Sequence, residues 1–165
     1  MELRVPALPG TRIAPGGWSQ VAAELTGPKG RVLAVDILDM QPVAGVEFIQ
    51  GDFREDAVAT EVAQALGGRS ADLVVSDMAP NLSGVAASDS ARIAHLVELA
   101  VAFALEHLTP QGALVCKVFH GSGYSQLMKL FKDSFRTAKA FKPKASRDKS
   151  AETFLVGVGP KPRQL

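Results

Sequence analysis

Four polar side chains stand where apolar, β-branched runs give out. Asp36 closes Arg31-Val32-Leu33-Ala34-Val35, Asp52 follows Val46-Glu47-Phe48-Ile49-Gln50, Asp77 follows Asp72-Leu73-Val74-Val75-Ser76, and Lys117 lies in the run from Gly112 to Phe119. In open α/β sheets ligands sit beyond the carboxyl ends of the strands, so these are the positions where chemistry is expected. An acid in the place of Asp36 can accept hydrogen bonds from ribose hydroxyls, and a carboxylate in the place of Asp52 can reach an exocyclic amine. Both have a plainer use in turn capping, an Asx turn at Asp52 above all. A lysine at a strand end can take a proton if burial disfavours its charged form, or orient a hydroxyl as a cation; nearby carboxylates favour the charged form. It can also simply snorkel to solvent. Upstream, Ala14-Pro15-Gly16-Gly17-Trp18-Ser19-Gln20 runs into an apolar helix over 21–25, so its glycines would bring main-chain N–H groups to a ligand at a helix start. It matches neither GxGxxG nor a P-loop, and a Gly-Gly turn before a helix is more often structural.

The elements that must position these residues alternate. Strand-like runs at 31–36, 46–50, 72–77 and 112–119 are interleaved with helical spacing at 56–66 and from about Ser88 to Leu108, where Ile93, Leu96, Val97, Ala100, Val101, Ala104 and Leu108 form an apolar stripe. A helix from Tyr124 to Phe135 and two strand-like segments, 137–142 and 153–159, close the chain. Alternation of this kind implies a doubly wound α/β fold: a mostly parallel sheet with helices on both faces and an antiparallel strand at the C-terminal edge. The 165 residues, 47% of them hydrophobic, suit one domain spanning 1–165.

Composition removes several classes of protein. Cys116 is the single cysteine, so a disulfide framework and a cysteine zinc site are excluded, and a reducing compartment is expected. Pro6, Pro9 and Pro15 interrupt the start, which resembles neither a signal peptide nor a membrane span. The net charge is only +1, yet Lys129, Lys132, Arg136, Lys139, Lys142, Lys144, Arg147 and Lys149 face only Asp133 and Asp148 over one stretch. That stretch is a candidate phosphate-facing surface, or else a solvated basic face. His95 and His107 lie on the long helix without a partner in helical register and are expected at the surface. His120 follows Lys117 closely enough to reach the same ligand, which for a loop histidine is weak evidence.

Taken together, the Ala14–Gln20 loop, Gln50-Gly51-Asp52-Phe53, Ser76-Asp77-Met78-Ala79-Pro80-Asn81-Leu82-Ser83-Gly84 and Lys117-Val118-Phe119-His120-Gly121 resemble, in order and spacing, the FtsJ-like ribosomal RNA 2′-O-methyltransferases, from about Ala14 to Gly159. The resemblance implies a Rossmann-like fold that uses S-adenosylmethionine. Gly16 and Trp18 would line the cofactor, Asp36 would meet its ribose, Asp52 its adenine, and Asp77 would sit where cofactor and acceptor meet. The family's catalytic Lys-Asp-Lys-Glu set is similar to Asp77, Lys117 and Glu152 here, with no counterpart to the first lysine. Lys117 is expected to be the base. Residues 1–13 depart from the family pattern, and the N-terminal part of the domain, with its first strand, is expected to be missing.

The substrate implied is a uridine ribose in 23S RNA of the large (50S) ribosomal subunit, methylated in the cytoplasm by a monomer that needs neither metal nor membrane. Three other readings compete with it. One is a catalytically silent RNA-binding or ribosome-assembly protein, one a related enzyme acting on another RNA, and one a nicotinamide-dependent dehydrogenase, which the absence of GxGxxG disfavours.

Overall fold

A computed structural model describes residues 17–80, 83–121, 123–143 and 151–162. They fall into two compact units that divide after Gly68.

In the first unit, helix α1 (Gly17–Thr26) leads through a turn at Gly27 into strand β1 (Val32–Asp36), which pairs in parallel with β2 (Val46–Gln50) before helix α2 (Asp56–Leu66). The sequence predicts this helix only from Val21, with Gly17 and Trp18 in a loop; both are in its first turn. The Thr26 hydroxyl donates to the Ala22 carbonyl at 2.7 Å, and the Gly27 N–H to Ala23 O at 3.1 Å. These bonds satisfy carbonyls of the last turn, and Gly27, with a φ of +66°, ends the helix and sends the chain back. Ten residues of helix span about 15 Å and five of strand about 16 Å, so α1 returns along β1 and its start lies at the carboxyl end of the strands. Helix α2 has the bounds its apolar spacing predicts: Val58 and Val62 are buried, and it ends at Gly67 in the left-handed conformation that glycine adopts at no steric cost. Gly51 is fixed by close approach, since a Cβ there would lie 2.7 Å from a Val58 methyl.

The second unit is a four-stranded sheet in the order β3-β4-β6-β5, built from β3 (Ala71–Ser76), β4 (Leu108–Phe119), β5 (Phe135–Phe141) and β6 (Glu152–Pro160). Helix α3 (Ala86–His107) joins β3 to β4, and α4 (Tyr124–Ser134) joins β4 to β5. β3 and β4 are parallel, and β6 is antiparallel to both β4 and β5. Thus β3, β4 and β5 share a direction and β6 alone is reversed. The expected closing antiparallel pair is present at the C-terminal edge, with the reversed strand inserted inside β5. Among the described residues β1 pairs only with β2 and β3 only with β4. The expectation of an absent first family strand concerns residues outside the described ones.

The core of this unit explains the alternation along β4. Leu114, Cys116 and Val118 point inward against Val97, Ala100, Val101 and Ala104 of α3 and Leu127 and Phe131 of α4. Both helices therefore cover the same face of this sheet. Phe131 and Phe135 are fully buried with ring centroids 5.5 Å apart, and each contributes roughly 1.5–3 kcal/mol by leaving water. Phe135 lies directly over Gly157, where a Cβ would meet the ring at 2.4 Å, so the aromatic core itself requires glycine on β6. Residues 113, 115, 117 and 119 take the opposite face, which is where Lys117 projects.

Burial also settles the state of Cys116. Enclosed between Ser76 and the α3 face, its thiol is pushed up to about 11 by loss of solvent. At neutral pH it stays protonated, so we expect the folded protein to resist a thiol-alkylating reagent and to react stoichiometrically once denatured. Comparable labelling rates before and after denaturation would contradict this packing.

Candidate active site

Two strand-end clusters emerge, one in each unit. In the first, Asp36 ends β1, and the parallel register sets Asp36 beside Gln50, so that Asp52 lies just beyond the end of β2. The Gly51 N–H donates to the Asp36 carbonyl at 2.9 Å and locks the two ends together. One oxygen of Asp36 accepts the Leu38 N–H at 2.9 Å, an Asx turn; among the described residues the other accepts nothing. Ile37 and Leu38, which follow it, are about 60% exposed, an unusual position for two large apolar side chains in sequence. A carboxylate with acceptor capacity to spare beside bare apolar surface suits a ribose attached to a flat ring.

Asp52 is more committed. Oδ1 accepts the Arg54 N–H at 2.9 Å, and both oxygens receive the Arg54 guanidinium. Those hydrogen bonds, the guanidinium first, hold its carboxyl below the usual range. The Asx turn considered as its plainer role is real, and any further donor must share a carboxylate already bound to Arg54. Trp18 sits half-buried at the start of α1, at the carboxyl end of the strands by the length argument above. Gly16 lies outside the described residues.

The second cluster centres on Lys117. The lysine lies inside β4, two residues before the strand ends at Phe119, the end that the apolar run predicts, and is paired there with β6. Its ammonium does not snorkel to solvent: Nζ is 2.8 Å from Asp77 Oδ1, and the side chain is only 14% exposed. The register produces this pair. Ser76 pairs with Cys116 in parallel, so the next step along both strands brings Asp77 beside Lys117 on the face away from the core. On the other side Lys117 opposes Phe154, and Phe119 opposes Glu152. Opposed residues share a face, so Glu152 is the diagonal neighbour of Lys117, with Cα atoms about 7–8 Å apart. Three residues far apart in sequence, one just past β3, one on β4 and one on β6, thus share one face of this sheet. A lysine paired with one carboxylate, with a second carboxylate on the same face, can hold or pass a single proton and can bind a hydroxyl.

The loop that follows Asp77 is braced by a residue that sequence reasoning missed. Asp89, buried on α3, accepts hydrogen bonds from the Ser83 N–H at 2.8 Å, the Ser83 hydroxyl at 2.7 Å and the Gly84 N–H at 3.0 Å. The spacing of Asp89 from a Ser-Gly turn just before an apolar helix was the available signal. The Ser83 N–H and hydroxyl, then Gly84, hold its carboxyl below the usual range. A carboxyl depressed in the folded state adds stability above its unfolded value and loses it as pH falls through the folded value. Asp89→Ala should therefore lower Tm at neutral pH, and its deficit relative to the parent should vanish in acid below the ordinary carboxylate range near ~3.9. A deficit independent of pH would mean the brace is not ionic.

Sequence comparison agrees with what this geometry suggests. The model for the FtsJ-like methyltransferase family matches residues 12–160, nearly the whole chain. The chain belongs to the FtsJ-like methyltransferases. The ribosomal RNA large subunit methyltransferase E of Methylibium petroleiphilum is 61% identical over 163 residues, covering 91% of this chain and 73% of that protein. A ribosomal RNA methyltransferase, putative, from Plasmodium falciparum superposes with a TM-score of 0.78 at 26% identity, covering 92% of this chain and 84% of the other. Human methyltransferase-like protein 13, crystallised with SAH, shares the fold at a TM-score of 0.55 and 15% identity, with 86% of this chain and 67% of that one covered. Membership turns the mixed α/β architecture, with its strand-end acids, into the methyltransferase fold of this family.

One expectation about the remaining polar residues changes. His107 does have a partner in helical register: its ring lies 4.4 Å from that of Phe103, one turn back, and Glu106 is 3.9 Å from its Nε2. His95 is exposed, as expected. Of the basic stretch, Lys129, Lys132, Arg136, Lys139 and Lys142 are exposed on α4, β5 and the residue after it, whereas Lys144, Arg147 and Lys149 lie outside the described residues.

Proposed function

We propose that this chain transfers the methyl group of S-adenosylmethionine to the 2′-hydroxyl of a uridine ribose in large-subunit ribosomal RNA. The observation that carries the proposal is the pairing of the largely buried Lys117 with Asp77, with Glu152 diagonal to it, in a chain of the FtsJ-like methyltransferase family. The ribosomal substrate follows the name and the 61% identity of the relative from Methylibium petroleiphilum.

Asp36 would hold the cofactor ribose through the oxygen that accepts nothing among the described residues, with Ile37 and Leu38 offering apolar contact to the attached ring. Asp52 would accept from the adenine amine in addition to Arg54, and Trp18, at the start of α1, would line the remainder. When bound, S-adenosylmethionine supplies a methyl group already activated by its positive sulfur. A ribose hydroxyl is a poor nucleophile at neutral pH, so the protein's tasks are alignment and removal of one proton. Lys117 Nζ would accept the hydroxyl proton, and Asp77, whose Oδ1 lies 2.8 Å from it, would hold the cation so formed. Glu152 adds a second negative neighbour that keeps the lysine in place. If Lys117 instead remains an ammonium throughout, it orients the hydroxyl oxygen and the proton leaves to solvent.

The proposal further places the protein in the cytoplasm, as a monomer that uses no metal and no membrane; no described helix is long and apolar enough to cross one. Its test is incubation of the chain with undermethylated 50S subunits and S-adenosylmethionine labelled in the methyl group, followed by nuclease mapping of the label. Label on a 2′-oxygen of a large-subunit uridine is the expected result. Binding of cofactor and subunit with no transfer would favour the silent RNA-binding alternative, and protection by a nicotinamide dinucleotide alone would favour a dehydrogenase.

A further inference from the structure

The ring pair at the end of β4 takes no part in the chemistry above. His120 follows Phe119 directly, and its main-chain N–H donates to the Ala151 carbonyl at 2.8 Å, which ties it to the start of β6. Its imidazole stacks on the Tyr124 ring, with centroids 4.4 Å apart and planes inclined by 29°. Tyr124 opens α4 after Gly123, whose φ of +92° lets the chain turn sharply enough to bring the two rings together. A stacked aromatic pair is ordinarily placed in a core, but His120 is exposed and Tyr124 half-buried.

The same face of α4 continues as a shallow hollow of about 390 Å³ lined by Tyr124, Ser125, Met128, Lys129, Lys132 and Asp133. Leu127 and Phe131 are the buried residues of the helix, Tyr124 and Met128 are half-buried against the core, and Ser125, Lys129, Lys132 and Asp133 are exposed, so the hollow opens to solvent along its polar side. Its charge is positive on balance. Lys129 is paired with Asp133, Lys132 has no acidic partner among the described residues, and Lys161 is brought to the same end of the helix by donating to the Lys132 carbonyl at 2.7 Å. From Tyr124 to Lys132 the helix rises about 12 Å, the length of about three stacked nucleotides. A π-face at one end and the ammonium groups of Lys132 and Lys161 at the other is the pairing that sequence-tolerant single-strand binding uses, with bases on rings and phosphates on cations.

We propose that this face is a docking track for a single-stranded RNA segment adjoining the methylated nucleotide, with a base stacked on the His120–Tyr124 pair and phosphates on Lys132 and Lys161. The inference rests on the RNA methyltransferase reading above and adds a positioning surface to it. His120 follows Lys117 by three residues, so a base held there lies just past the carboxyl end of β4, about 10 Å along the chain from the lysine, which projects on the face away from α4.

The test measures binding of a fluorescein-labelled decauridylate to the full chain by anisotropy across a salt series, together with KM and kcat on 50S subunits. Tyr124→Ala and His120→Ala should each weaken binding on the order of tenfold, while Tyr124→Trp restores it. Lys132→Ala should lower the slope of log K against log salt by about 0.7, a readout that a purely structural role would leave unmoved. On subunits the loss should fall on KM rather than kcat. Parental binding and salt slope in folded His120→Ala and Lys132→Ala variants would overturn the track and leave the face as a structural stack or a protein-binding surface, even if Tyr124→Ala fails to fold. Failure of the parent chain to bind the oligonucleotide while it methylates subunits would overturn the track alone; failure of both would overturn the enzymatic reading with it.

Discussion

Lys117→Met should reduce kcat for methyl transfer by ~10²–10⁴-fold while leaving cofactor affinity close to that of the parent. The long apolar side chain of methionine fills much of the same volume, so the strand pairing of β4 with β3 and β6 should survive and the loss is assignable to the ammonium group. Removing it also leaves Asp77 without the cation 2.8 Å away, so a companion Lys117→Met/Asp77→Asn variant should recover stability without recovering turnover. Lys117→Arg separates the two roles of the residue. A guanidinium can orient a hydroxyl but cannot serve as a base near neutral pH, so loss comparable to methionine marks general-base action and partial activity marks orientation. The pH–rate profile separates the same two roles independently: a limb that disappears in Lys117→Arg belongs to the lysine. Full activity in Lys117→Met would remove this residue from the mechanism.

The second large effect concerns the cofactor. Asp36→Ala should raise the dissociation constant for S-adenosylmethionine, measured by isothermal calorimetry, on the order of ten- to hundredfold, the cost of a charge-assisted hydrogen bond. Asp36 also caps the turn through Leu38, so the structural part of the loss must be separated. Asp36→Asn keeps an acceptor for the Leu38 N–H and loses only the charge; it should retain the parental Tm and still bind weakly. Asp77→Ala, whose side chain is expected where cofactor and acceptor meet, should weaken both affinity and turnover. Unchanged cofactor affinity in Asp36→Ala would move the ribose site elsewhere.

Much of this protein is legible without coordinates. Asp56 to Leu66 reads as a helix because Val58 and Val62 recur on one face and Gly67-Gly68 can end it; Val46 to Gln50 reads as a strand because alternating branched and aromatic residues favour extended backbone. The motifs around Asp77 and Lys117 point to the family, since the order of four short segments is far more selective than any one of them. Less is legible where two structures compete locally. Gly-Gly disfavours helix, which argues for a loop at Gly17 and Trp18, yet the packing of α1 along β1 carries the helix through them. The sequence starts the fourth strand at Gly112, but β4 begins at Leu108, which pairs with Ala71 of β3. The apolar stripe of α3 directs attention away from His107, whose ring partner, Phe103, stands one turn away.

What the sequence determined by itself is whatever depends on neighbours along the chain: the identity of the elements, the strand-end acids, the glycine stops, the family and hence the class of reaction. Tertiary structure decided what depends on register. Lys117 meets Asp77 because β3 and β4 align Ser76 with Cys116, and it faces Glu152 diagonally because β6 runs backwards beside it. A slip of one residue in either pairing would turn the lysine into the core or the carboxylates away from it, since strand side chains alternate faces. The stack of His120 on Tyr124 and the brace from Asp89 to Ser83 arise in the same way, from turns that close in three dimensions. Local composition sets which groups are available; the alignment of strands brings them within the few ångströms over which a proton can pass.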